Sequence, residues 1–148
     1  MRIYLPLIVE DRPVLESRGV VVGLAAGRRA WAASAEARRD RPGQDEEDLE
    51  YEALQDAVHV AFSGAGPSQR VLVLAADVPE QALRPATEDG GAFGVAIDQD
   101  CTGRLASSHV SELGAAAAEA DDTDPALLWF DPSEGPEALA FLEAAPQG

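Results

Sequence analysis

The sequence predicts a single α+β domain over residues 1–148, built on a mixed sheet of five or six short strands with helices mainly on one face. Three observations carry that expectation. A chain of 148 residues has the size of one domain and buries roughly 68–70% of its unfolded surface. Strand-like runs and helix-period segments alternate, then give way to a hairpin, which favours α+β over a doubly wound parallel sheet. Finally, 28 residues are alanine, so large core-formers are scarce and one modest core with close-packed helices is expected.

The first element is residues 2–9 (RIYLPLIV), which read as a first or edge strand, with Pro6 tolerated where its missing N–H faces away from the ladder. Asp11 can cap a short helix that has Pro13 near its start and Gly19 at its end. The stretch VVVGLAAGRRAWAAS is ambiguous, because Val20 to Val22 favour a strand while the alanines tolerate a helix. A strand over 29–33, then a short helix capped by Ser34, is expected there. The clearest helix runs from about Asp45 to Phe62, where Leu49, Ala53, Leu54, Ala57, Val58, Ala61 and Phe62 recur at helical spacing and Gly64 stops the run. Residues 70–76 (RVLVLAA) form a continuous apolar strand of the kind covered on both faces. A helical turn with Leu83 and a loop over 87–91 come next. Strands over 92–97 and 104–111 are joined by a turn at 98–103, and a short helix at 114–120 is closed by a turn at 121–125. LLWF at 127–130 is expected to be a final buried strand, 136–145 a closing helix, and 145–148 a frayed tail.

Charge excludes several function classes. All eleven basic residues are arginine, which removes a Walker-type phosphate loop, a lysine Schiff base and a lysine general base. The single cysteine, Cys101, permits neither an internal disulfide nor a cysteine-rich zinc site, and the acids beside it blunt any reactive thiol. The start lacks a signal-peptide core, and no apolar run approaches the length of a membrane span, so a soluble cytoplasmic protein is expected. Net charge is −16, distributed as +3 over residues 1–41 and −19 over the remainder. Such a surface repels nucleic acid and anionic lipid, so no direct nucleic-acid or membrane partner is expected. The arginines at 28, 29, 38, 39 and 41 could form a local basic patch, or pair with the acidic helix after them; pairing is the simpler reading.

MRIYLPL, EDLEYEALQDA, RVLVLAADVP, SSHVSE and LLWF occur in this order. Together they resemble a family of small acidic actinobacterial proteins known only as a domain of unknown function. The resemblance spans most of the chain, with LEY, AADVP and LLWF its most specific pieces. Where other members carry VDE after the histidine, this chain has Val110-Ser111-Glu112. The resemblance implies one domain and a cytoplasmic actinobacterial setting, and it implies no reaction.

Several groups could carry chemistry. Seven carboxylates (Asp45, Glu46, Glu47, Asp48, Glu50, Glu52, Asp56) fall within twelve residues, about 18 Å of helix, a density near that of duplex DNA. Nucleic-acid mimicry is conceivable, but four of the seven suit the positive helix start and the others avoid the apolar stripe, as a solvated face does. Asp98, Asp100, Thr102 and Gly103 match the opening of a calcium loop, yet its twelfth position is His109, so a hairpin turn explains them better and no metal or other cofactor is expected. On a strand, Ser107 and His109 share one face and Ser108 and Val110 the other. That pair suggests a hydrolase with Glu112, Asp77 or Glu50 orienting the imidazole, but no nucleophile elbow surrounds Ser107 and a structural histidine is the simpler alternative. His59 beside the helix stripe reads as structural or exposed. Glycines 90, 91 and 94 make no phosphate cradle. Trp31, Trp129, Tyr4, Tyr51 and Phe130 are expected to fill the core.

The first expectation for function is a non-enzymatic interaction or regulatory module whose acidic surface meets a basic protein. The alternative is a small enzyme or ligand-binding protein with a pocket around Tyr4, Glu50, Tyr51, Asp77, His109, Glu112 and Trp129, at strand ends and the inner edge of the main helix.

Overall fold

The structure, a computed structural model, describes residues 1–144, apart from the side chains of residues 89 and 90. The expected tail at 145–148 lies outside the described residues. Among the described residues, eight strands form one curled sheet: β1 (Arg2–Pro6), β2 (Val21–Leu24), β3 (Arg29–Ala32), β4 (Leu72–Asp77), β5 (Leu83–Pro85), β6 (Gly94–Ile97), β7 (Cys101–Ser111) and β8 (Leu127–Phe130). Their order is β2-β7-β4-β1-β3-β6-β5, with β8 paired to the same edge of β7 as β2 but further along it. Every pairing among them is antiparallel, so the expected mixed sheet of five or six strands is corrected to an antiparallel sheet of eight.

The helices are α1 (Arg12–Glu16), α2 (Ala35–Asp40), α3 (Glu46–Ser63), α4 (Thr87–Gly90), α5 (Ala115–Ala120) and α6 (Gly135–Glu143). They cover both faces of the sheet, not mainly one. The reason lies in the central strands, whose apolar residues alternate onto both sides. Ile3, Leu5, Leu72, Leu74 and Ala76 pack with Leu15 of α1 and Ala138 and Leu139 of α6. Tyr4, Trp31, Val73 and Ala75 face the opposite way, under Leu49, Ala53, Ala57 and Val58 of α3. Each large side chain buried in this way contributes about 1.5–3 kcal/mol.

Two local devices set the direction of functional side chains. Ser34 Oγ accepts from Ala37 N at 3.1 Å to start α2, and Asp45 accepts from Asp48 N at 2.9 Å to start α3, which together fix where the acidic helix begins. In β7 the register against β4 skips Ala106, so this bulge turns Leu105 to the α6 side while Ser107 and His109 turn to the α3 side. Ser108 and Val110 lie on the face opposite Ser107, as strand alternation requires.

Candidate functional site

Tyr4, Ala75 and Ser107 form one row across β1, β4 and β7 on the α3 side, and Val73, His109 and Trp129 form the next across β4, β7 and β8. α3 packs chiefly on β1, β3 and β4 and at most touches β7. Ser107 and His109 therefore sit at the rim of the helical cover. Ser107 Oγ and His109 Nε2 are hydrogen-bonded at 2.9 Å. Burial, followed by the charge of Arg2, holds the imidazole down at about 4, so it is neutral at pH 7.

A second group gathers at the end of the same face. Arg2 donates from Nε and Nη2 to the two carboxylate oxygens of Asp77, each at 3.0 Å. Burial pushes the Tyr4 phenol up to about 12, with the charge of Glu50 adding to the shift. Burial also raises Glu50, and Glu46 reinforces it. Arg2, Tyr4, Glu50 and Asp77 thus share one electrostatic environment, and Arg2 reaches His109 as well.

Tyr51, Glu112 and Trp129 do not complete this group. Tyr51 follows Glu50 on α3 and is turned about 100° from it. Its hydroxyl donates to Asp124 Oδ2 at 2.8 Å on the outer side of the helix. Glu112 is exposed beyond the end of β7, where its N–H donates to Ala126 O and its carbonyl accepts from Arg70 Nε. Trp129 lies opposite His109 in register but is 59% exposed, so neither it nor Tyr51 fills the core as expected, whereas Tyr4 and Trp31 do.

The chemistry of the Ser–His pair is limited by its surroundings. Ser107 is 4% exposed. Among the described residues no carboxylate hydrogen-bonds His109, so none of Glu50, Asp77 and Glu112 serves as the orienting acid of a triad. Five surface cavities of about 180 to 890 Å³ are lined by other side chains, and neither Ser107 nor His109 borders any of the five. At the 98–103 turn, Asp100 Oδ1 accepts from Ala26 N at 2.8 Å, and Cys101 to Gly103 belong to β7. Among the described residues no group of three or more potential ligands is placed to hold a metal ion.

The arginines of the first third pair internally. Arg28 forks onto Asp11, whose side chain is almost fully buried. Arg38 donates to both oxygens of Glu46, Arg39 to Glu36, and Arg41 to Asp40 and Glu52.

One concavity was not anticipated from the sequence. It has a volume of about 420 Å³ and lies along the outer side of α3, where Asp48, Glu52 and Asp56 succeed one another at four-residue intervals and Asp124 faces them. The signal was present in the spacing of those three acids, which places them on one helix face. The approach of Asp124 was not readable, because it comes from the turn before β8.

No curated protein and no solved structure matches the chain. Among the described residues, no helix is long and apolar enough to cross a membrane. A family model does match, from residue 1 to residue 139, nearly the full length. The chain belongs to the family of unknown function DUF6912.

Proposed function

We propose that this protein is a non-enzymatic interaction or regulatory module that docks a basic protein through the acidic outer face of α3. The observation that supports this most is the disposition of the cations. Arg38, Arg39 and Arg41 each hold a carboxylate of the chain itself, while Glu47, Asp48 and Asp56 of α3 bond to no basic side chain among the described residues. The residual field is strongly negative, in keeping with a net charge of −16. A face of this kind accelerates encounter with a positively charged partner and sets its orientation more than its final affinity.

The test is the association rate of a fluorescent hexa-arginine peptide, measured by stopped flow at about 0.01 M and about 1 M salt, where the Debye length falls from about 30 to about 3 Å. Reversing Glu47 and Asp48 to lysine slows association at low salt far more than reversing the distant exposed acids Glu10 and Glu16. Equal slowing by both pairs would reduce the acidic face to general solubility charge and remove the proposal.

A second reading, a small hydrolase or ligand-binding protein using His109 with Glu50 and Asp77 near it, is favoured by the Ser107–His109 hydrogen bond alone. It requires that a fluorophosphonate probe label Ser107 and that His109→Gln abolish the labelling. An unlabelled serine in the folded protein removes it.

A further inference from the structure

The register of β8 fixes which of its backbone groups are open. Glu112 N donates to Ala126 O at 3.0 Å, so residues 112 and 126 form a bonded pair, and Val110–Leu128 and Ser108–Phe130 are the bonded pairs that follow it along the ladder. Ser111–Leu127 and His109–Trp129 are the unbonded pairs between them. Ser111 accordingly turns its N–H the other way, to Val71 O at 3.0 Å. The N–H and C=O groups of Leu127 and Trp129 therefore point away from β7. None of these four groups bonds to another among the described residues.

Sheets ordinarily blunt such an edge with charge, proline or glycine. At the other edges, β5 carries Arg84 and Pro85, and β2 carries Gly23. β8 is LLWF and has none of these, and its Leu128 and Trp129 are 37% and 59% exposed. Trp129 stands on the α3 side and Leu128 on the other, so apolar surface flanks the open ladder on both faces.

Charge at the two ends of the strand says what fits there. Asp121, Asp122 and Asp124 precede β8, Asp131 and Glu134 follow it, and among the described residues none of the five joins an ion pair. Asp121, Asp124 and Asp131 accept only from neutral groups, those of Thr123, Tyr51 and Ser133. A second copy laid antiparallel on this edge would bring the two sets of acids together, like against like. A strand with basic residues at its ends meets the opposite sign at both.

We propose that β8 is a docking strand: an extended segment of the partner adds antiparallel to its open edge, bonds its backbone to Leu127 and Trp129, lays an apolar side chain beside Trp129 and reaches the flanking acids with basic side chains. The inference rests on the docking reading above only for the partner being a basic protein. In this mode main-chain bonds supply affinity and the alternate side chains supply selectivity.

The probe is a blocked peptide, Arg-Arg-Thr-Val-Thr-Val-Thr-Arg-Arg, whose valines pair with Leu127 and Trp129 while its arginines reach Asp124 and Asp131. Amide hydrogen exchange of the full chain is read by NMR. Leu127 and Trp129 N–H exchange fast in the free chain and slow about tenfold or more with peptide, whereas Leu128 and Phe130, already bonded to β7, change little. N-methylation of the two valine amides, which face β8, abolishes the protection; N-methylation of two threonine amides, which face away, preserves it. Trp129→Ser weakens binding about tenfold or more, and its unfolding midpoint separates this from loss of the fold. Hexa-arginine association that depends on Glu47 and Asp48, with no protection of the β8 amides by the peptide, overturns the strand and leaves the α3 reading standing. Protection with the stated methylation pattern, but no dependence of hexa-arginine on Glu47 and Asp48, upholds the strand and removes the α3 reading. A dimer in sedimentation with both amides protected before peptide is added gives the edge to a second copy and overturns the proposal.

Discussion

The Asp11–Arg28 junction and the outer face of α3 treat charge in opposite ways. At the junction, Arg28 donates from Nη1 and Nη2 to the two oxygens of Asp11 at 2.9 and 2.7 Å and from Nη2 to the Pro6 carbonyl at 3.0 Å. Asp11 Oδ2 also accepts from Ile8 N at 3.0 Å. Both side chains are nearly buried, at 10% and 2% exposed, and they tie the end of β1 to the loop before β3. On α3, carboxylates stand in water with few partners. The difference teaches where charge is structural: a desolvated ion must be matched bond for bond, while a solvated one can stay unmatched and act at a distance.

The largest effect is expected from breaking the junction. Arg28→Met strands a buried carboxylate and costs about 3–5 kcal/mol in urea unfolding. Adding Asp11→Asn recovers part of that loss, because the remaining group is neutral; no recovery would mean that packing, not charge, dominates the junction.

His109 sharpens the comparison as an intermediate case, a titratable group buried without a counter-ion. Its folded value of about 4 lies below the ordinary 6.5. Between those two values the unfolded chain binds the extra proton, so stability falls as pH drops from about 6.5 toward about 4 and is unchanged by this group above that window. The full swing is about 3 kcal/mol. Glu50 and Asp56 act in the opposite sense, since their raised folded values destabilise the fold as pH rises through them. Unfolding midpoints at pH 7 and pH 4.5 should therefore converge in His109→Gln relative to the parent chain. An unaltered slope would show that the ring is protonated in the fold.

The smallest effect is expected at Arg39, which pairs with Glu36 on the surface of α2. Arg39→Ala changes stability by about 0.5 kcal/mol or less, because an exposed pair is screened and loses side-chain entropy on forming. A loss comparable to that of Arg28→Met would erase the distinction between the two regions.

Much of the fold was legible because hydrophobic period is a local property. The α3 stripe and its start near Asp45, the apolar runs of β4 and β8, and the cap Ser34 are all visible in the sequence and present in the structure. β2 and β5 were missed for a common reason. Val21–Leu24 is succeeded by alanines that also suit a helix, and Leu83–Pro85 is three residues long, so each becomes a strand only against β7 or β6. The expected loop at 87–91 contains the single turn α4, and the turn before β7 is shorter than expected because Cys101 already pairs with Leu24. Of the seven candidate site residues, Tyr4, Glu50 and Asp77 share one environment and His109 borders it. Tyr51, Glu112 and Trp129 lie apart from that group, because helix rotation, strand termination and side-chain exposure are not written in residue type.

What the sequence alone determined is the alternation of apolar and polar residues, the acidic field, and the chemistries removed by the lack of lysine, all of which arise from composition and near-neighbour spacing. Only the tertiary structure decided that both faces of the sheet are covered, that the bulge at Ala106 turns Ser107 and His109 to the α3 side, and that Asp124 meets the ladder of Asp48, Glu52 and Asp56. Those outcomes depend on which distant segments share a surface, and burial of both faces of the central strands is what selects them.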